Sequence, residues 1–267
     1  MTATKQRVTV KKLRKAVFSK TVYRGMFSIV LLITLWEAGS RLRLPLMGAV
    51  PPASEVFGLL QVVFLKAQFW ENWVSSFRRV FSGFVAAQLI GIPLGLAMAA
   101  NRITHDVTFP MLEIMRPIPP LAWVPASIIF WPTTELSIAF VIFLGAFFTV
   151  VINVLDGAKN VDVRYLRAAL SLGSRRSDIF LRIILPATLP SIFTGMAVGM
   201  GITWEVVVAA EMIAGKSGLG YLTWSSYVGG NYPQIVIGMI SIGIAGYVSS
   251  SLIRLAGKWA APWQKLF

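Results

Sequence analysis

Four arginines stand in one polar segment, RAALSLGSRRSDIFLRIILP at residues 167–186, between two long apolar runs. A guanidinium is a fixed positive charge that binds carboxylates or phosphates. Gly173 interrupts the segment and Pro186 ends it, which predicts two short helices joined by a turn rather than a plain connection. A solvated basic loop is the alternative. We expect this segment to be a contact surface for another component, not a reaction centre.

Little else in the sequence indicates chemistry. No nucleophile–base pair, metal-ligand cluster or phosphate-binding loop stands out, and the pattern G-x-x-x-x-G-K-[ST] is absent. There are no cysteines, and the single histidine, His105, stands beside Asp106 in an expected inner loop, where it should be solvated. We therefore expect a chain that is not an enzyme and holds no metal or cofactor.

The composition indicates a lipid environment. Hydrophobic residues make up 56% of the 267 positions and charged residues 13%, with a mean hydropathy of +0.70. A soluble domain must cover its outside with polar groups, whereas a membrane protein has lipid as its outer solvent. This predicts an all-α, polytopic membrane protein. The net charge of +14 lies between apolar runs and at the ends, which the positive-inside rule explains without a nucleic-acid partner.

A transmembrane helix needs about 20 apolar residues, and about six candidates are present. They are residues 23–40, 80–100, 117–131, 136–155, 183–204 and a stretch within 233–253. Most flanking Lys and Arg residues lie on one side if both termini are cytoplasmic, so we predict that orientation. Arg78 and Arg79 are the inconsistency, and we expect them to snorkel to the outer headgroups. Arg41 and Arg43 follow the first run, which favours an uncleaved span over a signal peptide.

The chain is expected to divide into four parts. These are a basic cytoplasmic arm at 1–22, a first span with an outer segment at 23–76, a core at 77–258 and a cytoplasmic tail at 259–267. Apolar residues recur at helical spacing in 51–73, which predicts an amphipathic helix on the outer surface.

Small residues four apart predict close helix packing within the core. Gly91 and Gly95 form one such pair, and Gly195 and Gly199 form another. Ordinary packing within the chain is one interpretation, and an interface that slides during a conformational change is the other.

The third predicted span contains several prolines, which lack the amide that a helix carbonyl would otherwise bind. The carbonyls left without a partner must be satisfied by protein or water, so this span should be buried in the bundle. Charged side chains at membrane depth are also candidates, although Glu205 and Glu211 could instead lie at the headgroup level. The weak candidates for a pathway or for docking an outer partner are Pro119, Pro120, Trp123, Glu205, Glu211 and Asn231.

The polar segment has the signals of a helix–turn–helix. Asp162 can cap a helix over 163–172, and Gly173 allows a sharp turn. A second short helix should then run towards Ile184, and Pro186 is expected to open the fifth membrane helix.

These positions carry a family resemblance. The spacing of Ala168-Ala169, Gly173, Ile183, Leu185 and Pro186 resembles the EAA motif of ABC-importer permeases. Most of residues 78–255 is similar to the nitrate/sulfonate/taurine branch of these permeases. Further lines of similarity are RPIPPLAWVP (116–125), IFLGAFF (142–148) and VVAAEMIAGKSGLGYL (207–222).

The resemblance implies a type I permease in the bacterial inner membrane, working as a homodimer. Two ATPase subunits, holding the ATP and Mg, would bind below, and a solute-binding protein would bind above. The coupling loop would lie within 160–186. Its contact residues would be Arg167, Ala168, Ala169, Leu172, Gly173, Ser174, Arg175 and Arg176.

Two departures from the branch stand out. Arg167 occupies the position where the motif usually has Glu, so it would need an acidic partner. Residues 130–134 read FWPTT where the branch tends to have a short turn with glycine. The resemblance implies a small anion such as a sulfonate, taurine or nitrate, although relatives also import neutral thiamine precursors. An ion-coupled secondary transporter and a membrane scaffold remain alternatives.

Overall fold

The computed structural model describes residues 20–45 and 47–263, and regular structure in these ranges is helical. The predicted basic arm and the end of the predicted tail lie largely outside the described residues. The α-helices are α1 (Lys20–Arg41), α2 (Ala53–Phe64), α3 (Ala67–Ala100), α4 (Arg102–Met115), α5 (Val124–Phe130), α6 (Thr134–Lys159), α7 (Val163–Ser171), α8 (Arg176–Ile179), α9 (Leu185–Ala214), α10 (Leu219–Val228) and α11 (Tyr232–Ala260).

In the described ranges, four helical units are long and apolar enough to cross a membrane. They are α3, α6, the continuous unit Arg176–Ala214 and α11, and they contain the second, fourth, fifth and sixth predicted spans. Helix α3 begins at Ala67, well before the predicted start at residue 80. The added turns carry Asn72, Ser76 and Arg79. Their polar side chains are buried against other parts of the protein, so they do not face the lipid.

Helix α6 lies at the centre of the bundle, and 67% of the residues in an apolar 18-residue stretch of it are buried. On one side, Gly91 and Gly95 of α3 face Val151 and Val154, and on the other Gly195 of α9 faces Asn153. Because glycine has no side chain, the helix backbones approach closely at these positions. The prediction that the glycine pairs serve packing within the chain is confirmed.

The two helices α3 and α6 run in the same direction. Gly83 lies against Ile142, and twelve residues later Gly95 lies against Val154. Since parallel neighbours both run from one end of the bundle to the other, residues 101–133 must return along its full length.

That return is made by a broken segment, not by one continuous helix. It consists of α4, a proline-rich break, a 3₁₀ turn at Pro120–Trp123 and α5. The predicted third span at 117–131 was therefore wrong in its start and continuity, because its prolines lack backbone donors and interrupt the helix. His105, expected in a loop, lies in α4, where its Nε2 atom is 2.8 Å from Lys159 Nζ.

The first predicted span forms α1, which attaches to the rest of the chain at one end. Trp36 Nε1 donates to the carbonyl of Pro51 at 3.0 Å, and the Ser54 amide donates to Glu37 at 3.0 Å. The predicted amphipathic helix over 51–73 is split, because α2 ends at Phe64 and the long helix α3 begins three residues later.

The fifth span begins earlier than predicted. Helix α8 runs through a π-helical turn at Phe180–Ile184 directly into α9. The amide of Leu185 donates to the carbonyl of Phe180, five residues back. Pro186, expected to open a new helix, has no amide to offer, and the widened turn carries the helix past it.

We expect Gly95→Ala to lower stability and Gly201→Ala not to. A Cβ at Gly95 would lie 2.8 Å from Val154 Cβ and 2.9 Å from the Val151 carbonyl, whereas one at Gly201 would meet nothing within 4 Å. Overpacking of this kind costs about 1–3 kcal/mol. Thermal unfolding in detergent measures both, and equal melting temperatures would contradict the assigned packing.

Candidate functional site

The first candidate site is the elbow, defined as residues 162–184, which joins α6 to α9. Asp162 caps α7 as predicted, accepting from the Arg164 amide at 2.9 Å. The Arg164 guanidinium also donates to this carboxylate at 2.7 Å, and both bonds hold the pKa of Asp162 below its usual value. The cap fixes where the elbow leaves the bundle.

A left-handed residue makes the turn of the elbow. Gly173 has φ +77°, and its amide donates to Leu170 while the Ser174 amide donates to Ala169, both at 3.0 Å. This pair of bonds is the Schellman helix end. A Cβ at Gly173 would meet nothing within 4 Å, so the backbone angle, and not a lack of space, favours glycine here.

The tip of the elbow is apolar and exposed. Leu172 is 86% exposed and Leu170 57%, whereas Ala169 is buried and anchors the helix. The exposed coupling candidates around the tip are Arg167, Ala168, Gly173, Arg175 and Arg176, with Ser174 half-buried. Among the described residues, none of these arginines lies in an ion pair. The tip thus offers a leucine flanked by positive charge that the described part of the chain does not neutralise.

The second candidate site is the groove, a cavity of about 330 Å³ at mid-bundle. Its lining is Arg116, Pro120, Leu144, Gly145, Phe148, Thr149, Ile152, Asn153 and Ile202. The Asn153 amide nitrogen donates to the Thr149 carbonyl at 2.8 Å, which leaves its oxygen for other partners. The Arg116 guanidinium makes one hydrogen bond within the described residues, to Glu113 at 3.1 Å. Arginine donors, an amide and a hydroxyl therefore share this groove.

Sequence reasoning found only part of the groove. Pro120 lies on it, whereas Trp123 packs into the apolar core, where its buried Nε1 atom has no partner among the described groups. Pro119 directly precedes the 3₁₀ turn. Arg116 and Asn153 were missed, although a lone asparagine in the apolar helix α6 was a usable signal.

The third feature is the ion-pair cluster of Arg79, Glu135 and Glu211 at the far end of the bundle from the elbow. Arg79 is 5% exposed and Glu211 0%. Arg79 Nη1 donates to Glu211 at 2.9 Å, and its Nε and Nη2 atoms donate to Glu135 at 2.8 and 2.6 Å. The cluster joins α3, α6 and α9 through one guanidinium.

Neighbouring polar groups complete the cluster. The Ser76 hydroxyl and the Gly220 amide both donate to Glu211, the amide at 2.9 Å. The Arg79 guanidinium also donates to the Ser217 carbonyl at 2.6 Å. The guanidinium nitrogens of Arg79 and both carboxylate oxygens of Glu211 thus have hydrogen-bond partners, as a buried ion pair requires.

These placements correct one expectation. Arg79 does not snorkel to headgroups, because buried Glu211 and the more exposed Glu135 bind its guanidinium. Glu211 itself is buried in the protein. Glu205 is exposed on α9, and Asn231 caps α11 by accepting from the Gln234 amide at 3.2 Å.

The chain is similar to known membrane transport proteins. Residues 91–265 match the model of the family described as binding-protein-dependent transport system inner membrane component. The taurine transport system permease protein of Escherichia coli is 32% identical over 92% of this chain and 91% of its own length. A nitrate import permease protein of Synechocystis is 31% identical over 92% of each chain.

A solved structure shares the fold. The inward-facing MetNI methionine ABC transporter contains a chain with a TM-score of 0.55 and 20% identity, matched over 76% of this chain and 96% of that one. At that identity, the match concerns the helical architecture alone.

We expect Arg79→Met to destabilise the protein by roughly 3–5 kcal/mol, because Glu211 would be left as an unpaired buried charge. Arg78→Met is the matched control, since Arg78 is exposed on the next position of the same helix. Adding Glu211→Gln to Arg79→Met should recover part of the loss. Thermal unfolding in detergent tests this, and equal effects at positions 78 and 79 would contradict it.

Proposed function

The chain belongs to the family of binding-protein-dependent transport system inner membrane components, and we propose that it imports a small anion on energy from a separate ATPase. It is an ABC-importer permease of the type I family. The observation that carries the energy coupling is the exposed apolar and basic tip of the elbow. The proposed location is the bacterial inner membrane.

The connections of the elbow support a coupling role. Its capped start follows α6, and its second half is continuous with α9. Helices α6 and α9 pack along their length, with Gly157 against Ser191 and Gly145 against Val206. A push on the tip would therefore act on two helices that both line the groove.

We propose six crossings with the elbow in the cytoplasm. Besides the four long apolar helices, α1 and the broken segment from α4 to α5 would each cross once. The elbow end then carries Lys159, Arg182 and Lys258, in keeping with the positive-inside rule. Under this orientation the ion-pair cluster lies near the outer face, where a solute-binding protein would dock.

The groove is proposed as one half of the transport pathway, completed by a second copy of the chain. It opens to one side of the bundle between α6, α9 and the 3₁₀ turn. The coupling motif occurs once in this chain, which supplies one bundle, so a partner copy would close the open side. Alternating access would follow from the ATPase pair drawing the two elbows together.

Arg116 supports an anionic substrate. Among the described residues it is the one charged residue of the groove lining, and four of its five N–H donors are not used by Glu113. Taurine and nitrate, named in two relatives, both carry a negative group that a guanidinium binds well.

Reconstitution tests the proposed function directly. Proteoliposomes with the chain, the co-purified ATPase and its binding protein should take up taurine or nitrate only when ATP reaches the ATPase. Uptake without the ATPase would indicate an ion-coupled carrier, and no uptake of any solute under any condition would indicate a scaffold.

We expect Gly173→Val to weaken ATPase binding roughly tenfold while Gly173→Asn retains most of it. Valine in the left-handed region costs roughly 1–2 kcal/mol or more, whereas asparagine adopts it readily. Co-purification of the ATPase measures the effect. Equal binding by both variants would show that this turn does not set the contact.

We expect Arg116→Gln to reduce anion uptake about tenfold or more, since a hydrogen bond to a charged group contributes about 1.5–3 kcal/mol. Arg102→Gln is the control, because that side chain is 93% exposed and outside the groove lining. Uptake unchanged in Arg116→Gln, with the ATPase still bound, would remove Arg116 from the pathway.

A further inference from the structure

A second cavity lies apart from the groove, near the elbow end of the bundle. This crevice, of about 160 Å³, lies between the start of α9 and the end of α11. Its lining is Pro190, Phe193, Thr194, Arg254, Gly257, Lys258 and Ala261. It opens to the outside of the bundle, and none of its residues lines the groove.

The walls of the crevice divide into an apolar and a basic side. Pro190 and Phe193 of α9 form the apolar side, and Phe193 sits directly against Gly257 of α11. Arg254 and Lys258 are four apart on α11 and so project from one face. Thr194 lies at the edge of the crevice, with its hydroxyl donating to the Pro190 carbonyl at 2.8 Å.

The positive charge of the crevice is not neutralised by the described part of the chain. Arg254 Nη2 donates to the Ser251 hydroxyl at 2.8 Å, and neither Arg254 nor Lys258 is within ion-pair distance of a described carboxylate. Among the described residues, no acidic side chain lines the cavity. Several N–H donors are therefore available to an anion, and phosphate oxygens suit them.

Aromatic residues set the depth of the crevice in the membrane. Trp259 is 79% exposed and Trp263 58%, both at the end of an apolar membrane helix. Exposed tryptophans at such an end lie at the headgroup level. Arg254 lies five residues before Trp259 and Lys258 lies directly before it, so their long side chains reach the lipid phosphates.

We propose that this crevice binds an anionic phospholipid of the inner leaflet. Arg254 and Lys258 bind the headgroup phosphate, and Pro190 and Phe193 pack against the glycerol and first acyl carbons. The choice of leaflet rests on the proposed cytoplasmic position of the elbow. The charge and the apolar wall together favour a lipid over free phosphate, which has no apolar part to bury.

The test is lipid retention by the purified chain in nanodiscs of phosphatidylglycerol and phosphatidylethanolamine, read by native mass spectrometry. We expect the unmodified chain to retain phosphatidylglycerol, and R254Q/K258Q to retain roughly 30-fold less, since each basic side chain contributes about fivefold. R24Q/R102Q removes the same charge from exposed positions outside the crevice and should retain nearly the unmodified amount.

A second variant separates shape from charge. Thr194→Trp keeps both basic residues but fills the cavity, and it should also lose phosphatidylglycerol. Equal loss in R24Q/R102Q, equal retention of both lipids, or retention unchanged in Thr194→Trp would each overturn the site. Displacement of the lipid by millimolar inorganic phosphate would show a phosphate site instead. The measurement needs no ATPase and no transport, so it stands apart from failure of the proposed function.

Discussion

The close packing of α6 between α3 and α9 is the constraint on which the rest of this molecule depends. Lipid supplies no hydrophobic force between helices, so contact must come from backbones that approach closely. Glycines on both outer helices provide that approach, and Gly83, Gly95 and Gly195 each leave no room for a side chain. In this packing α3 and α6 run in the same direction, so residues 101–133 must return along the bundle. They do so as a broken segment. The groove lies where this segment meets α6 and α9.

The two ends of α6 are built differently. At one end, Arg79 binds Glu135 and Glu211 and so ties three helices together through a fully hydrogen-bonded buried charge. Such a cluster adds little net stability, but it permits few alternative arrangements. At the other end, the elbow projects with an exposed leucine and with arginines around its tip that form no ion pair within the described residues. A bundle held firmly at one end and open to contact at the other supports the proposed coupling role of the elbow.

Several sequence predictions failed, each for its own physical reason. The start of α3 was missed because Ser76 and Arg79 look like residues of a polar loop, whereas partners on other helices bury them. The continuity of α8 with α9 was missed because a π-helical turn, invisible in the spacing, joins the two helices. Glu211 was noted as a charge at membrane depth, but its pairing with Arg79 spans more than a hundred residues of sequence.

The sequence by itself determined the helical membrane class, the positions of most long apolar helices, the cap at Asp162 and the glycine turn at residue 173. These depend on composition, on local periodicity and on hydrogen bonds between near neighbours. The tertiary structure alone decided the parallel course of α3 and α6, the buried ion-pair cluster and the groove formed by Arg116 and Asn153. Each joins residues far apart in the chain, and their proximity is set by helix packing, which local patterns do not encode.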